Sequence, residues 1–227
     1  MPEKDSEAEV QFQLGESYLD KDEDAKGLDC LRKAAEMGHI NAMIWLGEYY
    51  YYAWSKVLDK DTAKATEFFH KAEAKLAKIP VESYLEHARE MIELGNCYAY
   101  GAVDGNENKK EADKWYRKAM NTWHKAAEGG DDDAMYWIGV AYFNGEGAEQ
   151  DYTEAANWFY KAARKGHVKA QFELGKCYYS GMGVDQSEYE AAQWFQAAAA
   201  QGHEDAQEYL YDCNVNEEEY EEGDEDD

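Results

Sequence analysis

Six histidines, four cysteines and 49 acidic side chains are the groups in this 227-residue chain that could bind a metal or move a proton. Residues 20–31, DKDEDAKGLDCL, offer oxygen ligands at Asp20, Asp22 and Asp24 in the alternation of a calcium loop. Ala25, however, stands where that loop turns on glycine, and Leu31 stands where a bidentate glutamate must close the shell. The segment therefore reads as a solvated loop. His70, His87 and His124 have neither each other nor a cysteine at zinc-ligand spacing, and no two histidines lie four apart. No glycine-rich loop precedes Lys-Ser or Lys-Thr, and no nucleophile elbow occurs. These spacings predict no catalytic residue, no metal and no cofactor.

The pattern that does recur is structural. Ala155, Trp158, Phe159, Ala162, Ala163 and Gly166 return thirty-six residues later as Ala191, Trp194, Phe195, Ala198, Ala199 and Gly202, and earlier as Ala112, Trp115, Tyr116, Ala119 and Met120. Each block follows a second signature, such as Ala134, Ile138, Gly139 and Tyr142, or Ala170, Leu174, Gly175 and Tyr178. Both have the 3.6-residue period of an amphipathic helix, so the unit is a helix pair whose apolar faces close only by stacking on neighbours. Gly38, Gly166 and Gly202 mark helix stops, each followed by histidine, while Asn108, Asp151 and Ser187 lie three residues before a glutamate, in the spacing of a helix start. Pairs of glycines in NGEG (144–147) and SGMG (180–183) suit turns. The predicted fold class is all-α: about five units, 8–40, 41–80, 81–130, 131–166 and 167–202, with a closing helix over 203–213. The acidic run 214–227 is predicted to be disordered and able to compete for a binding groove.

The middle is enlarged. After Trp115 the pattern continues through Trp123, Ala126 and Ala127 to Gly130, seven residues beyond the usual stop. In the second unit Leu76 takes the stop position, Ile79 extends the face, and Pro80 ends it; Val81, Tyr84 and Leu85 suggest an early start to the next helix. Two readings stand: a projecting partner-binding ridge at Leu76, Ile79, Tyr84 and Trp123, or mutual packing of these side chains.

A second apolar stripe lies on the first helices, two residues before and five after the signature Leu or Ile. It comprises Phe12, Ile44, Ile92, Tyr136 and Phe172, then Leu19, Tyr51, Ala99, Phe143 and Tyr179. These either touch the neighbouring first helix or line a concave groove. The groove candidates are Ile44, Glu48, Tyr51, Tyr52, Asn96, Tyr136, Phe143, Phe172, Lys176 and Tyr179. The run YYYYAWSKVL (49–58) either forms a contact loop beside them or folds Trp54 and Leu58 back onto the ridge.

The formal charge of −26 argues against a nonspecific phosphate-backbone binder and favours a basic protein or peptide partner. Nine of the acids lie in the terminal run, yet the rest of the chain remains acidic. No stretch suits a membrane span and the start MPEKDSEAEV carries no leader pattern, so a cytoplasmic location is expected. Cys97 and Cys177 occupy one slot in two units, as reduced core thiols would.

The combination Ala134, Ile138, Gly139, Tyr142, NGEG, Asp151, Ala155, Trp158 and KAARKGH followed by Ala170 closely resembles the Sel-1-like repeat, a relative of the tetratricopeptide repeat, over roughly residues 8 to 212. The first unit departs by lacking the tryptophan, the second and third by their extensions. The resemblance implies a right-handed α-solenoid of antiparallel helix pairs that acts as an adaptor or scaffold, with no common active site. Some bacterial relatives resemble immunity proteins that block a toxin, which is the alternative expectation here. A secreted, cysteine-bridged branch is disfavoured, because paired cysteines in each unit are missing.

Overall fold

The computed structural model describes residues 2–103 and 105–221. Among these residues the chain forms eleven α-helices and no strand, arranged in two compact units, Met1–Ala119 and Met120–Asp227. The first unit contains α1 (Pro2–Leu19), α2 (Asp24–Glu36), α3 (Ile40–Tyr52), α4 (Thr62–Leu76), α5 (Ala88–Ala99) and the first part of α6 (Lys109–Glu128). The second contains the rest of α6, α7 (Asp132–Asn144), α8 (Tyr152–Ala163), α9 (Val168–Ser180), α10 (Glu188–Ala199) and α11 (Glu204–Glu221). Consecutive helices pack as pairs, α1 with α2, α3 with α4, α7 with α8 and α9 with α10, as the two recurring signatures require. Residues 222–227, the end of the acidic run, lie outside the described residues.

What closes each pair after the first is an aromatic ring laid on glycine; between α1 and α2, Leu31 on Gly15 and Leu19 on Gly27 take its place. In the second unit a Cβ built on Gly139 would lie 2.6 Å from two Phe159 ring carbons, and one on Gly175 would lie 2.6 Å from Phe195. The first unit repeats the arrangement, with Phe69 on Gly47 and Tyr116 on Gly95. The small residue therefore admits a ring. Burying each such ring contributes about 1.5 to 3 kcal/mol, and small residues such as Ala155 and Ala162 let the helices approach closely enough to bury it.

The link between repeats is a glycine followed by a polar cap. Gly166 adopts φ +98°, and the His167 amide donates back to the Ala162 carbonyl at 3.2 Å, which ends α8. His167 then opens α9: its Nδ1 accepts from the Ala170 amide at 3.0 Å, its Nε2 meets Asp133 at 3.0 Å, and its ring stacks on Tyr136 at 4.7 Å. The accepting role of Nδ1 places the proton on Nε2. His39 does the same in the first unit, between the Ala42 amide, Glu9 and Phe12, and draws the Glu9 carboxyl below its ordinary range through their hydrogen bond. Asp131 takes the slot ahead of α7 and accepts from the Ala134 amide at 2.7 Å. His167→Ala is expected to cost about 1 to 2 kcal/mol, and His167→Asn to recover roughly half of that by restoring the cap alone, read from urea midpoints.

The enlarged middle departs from the expected helix ends. α6 runs for 20 residues, against 12 for α8, as the displaced stop predicted. α4, in contrast, ends at Leu76, and Val81–Ser83 and Leu85–His87 form two short 3-10 turns before α5 begins at Ala88. Pro80 supplies no amide to continue α4, and no glycine returns the chain, so turns bridge the gap.

Candidate functional site

In the first unit α3 ends on Ala53 at φ +53°, a left-handed conformation, in the slot that Gly145 and Gly181 fill at the ends of α7 and α9. An L-residue there costs about 1 to 2 kcal/mol. The strained turn brings Trp54 back over Tyr52, with ring centroids 4.8 Å apart and planes inclined by 11°, and Tyr49 meets the indole edge-on at 5.8 Å. The loop is fixed from below. Ser55, buried, donates through Oγ to Asp24 Oδ2 at 2.8 Å, the Lys56 amide donates to the same oxygen at 3.2 Å, and the Val57 amide donates to Ser55 Oγ at 3.1 Å. Asp24 is thereby spent on the loop instead of on an ion. The aromatic pair nevertheless faces water: Tyr52 is 45% exposed and Trp54 59%, and Tyr100, just past α5, is 68% exposed.

Glu48 lies one helical turn before Tyr52 on the same face of α3. Burial alone raises its carboxyl to about 7. Among the described residues no cation lies within ion-pair distance of it, which distinguishes it from Glu67 or Asp61, each held by a lysine. The Cys97 thiol is pushed up by burial and then by the charges of Glu48 and Glu93, and the Tyr52 phenol is raised by burial with smaller contributions from Cys97, Glu48, Tyr51 and Tyr100. The patch thus combines stacked exposed rings with a half-buried, uncompensated acid. Beside it Tyr51 meets Tyr52 edge-on at 4.9 Å and carries the Lys60 ammonium 4.8 Å from its ring centre.

The remaining groove candidates are placed differently. Ile44 is fully buried and Phe172 is 8% exposed, because the stripe position two before the signature packs against the next repeat. Phe172 stacks on His203 at 4.3 Å and meets Tyr209 at 5.5 Å, as Tyr136 meets His167. Asn96 accepts a short hydrogen bond from the Tyr116 hydroxyl and so orients the ring that covers Gly95. In the second unit Phe143 meets Tyr152 at 5.1 Å, Tyr179 meets Tyr209 at 6.0 Å, and Lys176 is paired with Glu173 at 2.8 Å; Phe143, Tyr179 and Lys176 all remain half-buried.

Of the ridge residues, Leu76 is fully buried, Trp123 is buried against Trp137 at 6.1 Å, and Tyr84 lies half-buried under the Lys118 ammonium. Ile79 is also half-buried and lines a cavity with Lys75 and His87. Tyr100 was not among the site candidates, and Trp54 entered only through the contact-loop reading of residues 49–58. Trp54 follows Ala53, which holds the left-handed conformation at a position where other repeats carry glycine.

Among the described residues no group of three or more His, Cys, Asp or Glu could hold a metal ion, and no helix is long and apolar enough to cross a membrane. The family model of the Sel1 repeat matches residues 8–39, 40–75, 91–120, 132–167 and 168–203. Among solved structures, the chain is 26% identical to a Sel1 repeat protein from Oxalobacter formigenes, covering 92% of this chain and 77% of that one at a TM-score of 0.48. It is 27% identical to a protective antigen of uropathogenic Escherichia coli, covering 90% of this chain at a TM-score of 0.41 but only 48%, about half, of the antigen. It is 20% identical to an immunity protein from Pseudomonas aeruginosa, covering 88% of this chain and 67% of that one at a TM-score of 0.46. A comparison with curated proteins finds no match.

Proposed function

Since the chain belongs to the Sel1 repeat family, whose members generally mediate protein–protein interaction, we propose that it is a noncatalytic scaffold that holds a basic segment of a partner protein at the Glu48, Tyr52 and Trp54 patch. The observation that carries the reading is the exposed Tyr52–Trp54 stack, set on a strained turn beside an acid with no cation of its own. Rings fixed before binding lose little entropy on contact, which is how tyrosine and tryptophan anchor interfaces. Glu48 gives the patch its preference for charge: a lysine or arginine that reaches it offsets a desolvation cost already present in the free protein. Tyr51 and Tyr100 extend the contact area.

Selection of random peptides on the purified chain tests this reading. Sequences enriched in Arg and Lys are expected, binding the Tyr52→Ala/Trp54→Ala double variant at least tenfold more weakly while its circular dichroism stays unchanged. Neutral sequences, or equal binding by the variant, overturn the reading. The immunity alternative makes the opposite demand, one protein ligand held very tightly through a large surface with little dependence on salt.

A further inference from the structure

A second site of opposite preference lies in the first unit. A cavity of about 560 Å³ opens between α2 and α4, with the rings of Tyr50 and Phe68, stacked on one another at 5.9 Å, among its walls. Phe68 stands in the slot filled by Trp115, Trp158 and Trp194 in other repeats, so a smaller ring lines the cavity here. Three cations converge on these walls. Lys64 stands 5.2 Å from the centre of the Tyr50 ring and Lys71 stands 5.1 Å from that of Phe68, each also paired with an acid, Asp61 and Glu67 respectively. Arg32 differs. Its guanidinium is half-buried, reaches the Tyr50 hydroxyl only at 3.5 Å, and among the described residues has no carboxylate within ion-pair distance.

We propose that this cavity binds a carboxylate side chain of an acidic polypeptide, with the Arg32 fork on its two oxygens and its methylene stem against the edges of the stacked Tyr50 and Phe68 rings. The planar guanidinium matches a carboxylate bidentately, and Lys64 and Lys71 add field without a second fork. Glu36 and Glu67 also line the cavity and set the charge limit, since they repel a phosphate dianion more strongly than a single carboxylate. The site is independent of the aromatic patch and gives the scaffold a second kind of partner.

Heteronuclear NMR of the full chain tests the proposal, titrated separately with a capped triglutamate peptide and with inorganic phosphate. Saturable shifts around Arg32, Tyr50 and Phe68 are expected with the peptide, weakening as salt rises. Arg32→Gln is expected to lower peptide affinity about tenfold or more. Phe68→Trp, which installs the residue of three other repeats, is expected to block the cavity while the melting temperature stays at or above that of the native chain. Absence of saturable shifts at millimolar peptide, equal affinity in both variants, or tighter binding of phosphate than of peptide would overturn it.

Discussion

Phe159→Ala is expected to destabilise the second unit by about 3 to 5 kcal/mol, among the largest costs a single substitution can have there. The ring is 1% exposed and fills the space between Gly139, Ala155 and Ala162 in the centre of the seam. Gly139→Ala attacks the same contact from the other side. In an exposed helix that change gains about 1 kcal/mol from propensity. Here the new methyl would lie 2.6 Å from the ring and 3.3 Å from the Ala155 carbonyl oxygen, so overpacking outweighs propensity and a net loss of about 1 to 2 kcal/mol is expected. The pair is coupled. In the double variant Gly139→Ala/Phe159→Ala the methyl enters the space vacated by the ring, so the combined loss should fall short of the two single losses added together, by about 1 kcal/mol or more. Urea unfolding measures the cycle, and strict additivity would show that the ring and the glycine do not bear on one another.

Glu48→Gln is expected to stabilise the first unit by about 3 kcal/mol at pH 8 and by almost nothing near pH 4.5. The direction follows from proton linkage. Burial lifts the folded carboxyl from the ordinary 4.5 to about 7, so the folded chain holds more protons than the unfolded chain between those values. Stability therefore declines as pH rises through that window, and the whole cost of the buried charge is present above it. The amide carries no charge and escapes the cost. Thermal unfolding of both proteins from pH 4.5 to 8 reads the difference, and parallel curves would show that Glu48 is well solvated. In the proposed function, a cation from a partner would remove the cost that this acid imposes on its own fold at neutral pH.

Helix identity and pairing were legible in the sequence because they rest on local signals that repeat: glycine at the stop, a polar residue at the start, and aromatic and alanine positions at a 3.6-residue period. The caps at Asp151 and Ser187 and the lengthened α6 follow directly from those signals. The stretch from Ala77 to His87 was not legible, because a run of apolar residues around a proline fits an extended helix as well as two short turns. The exposed patch proposed as a site was legible only in part. Periodicity identified the stripe that holds Ile44, Tyr136 and Phe172 but not which neighbour covers each of them, since that depends on residues a repeat away, such as His167 and His203. Glu48 and Tyr52 stood out by type and spacing. Trp54 joins them through one backbone torsion at Ala53, a feature that composition does not encode.

Isothermal titration of the full chain with a lysine- and arginine-rich peptide at pH 7, in two buffers of different ionisation enthalpy, tests the central claim most directly. If a cation from the peptide settles on Glu48, the carboxyl returns toward its ordinary range and binding releases about half a proton per site. The apparent enthalpy should then differ between the buffers for the native chain and not for Glu48→Gln, and Trp54→Ala should weaken binding without altering the proton count. Binding with no proton release, or with the same release in Glu48→Gln, would contradict the account.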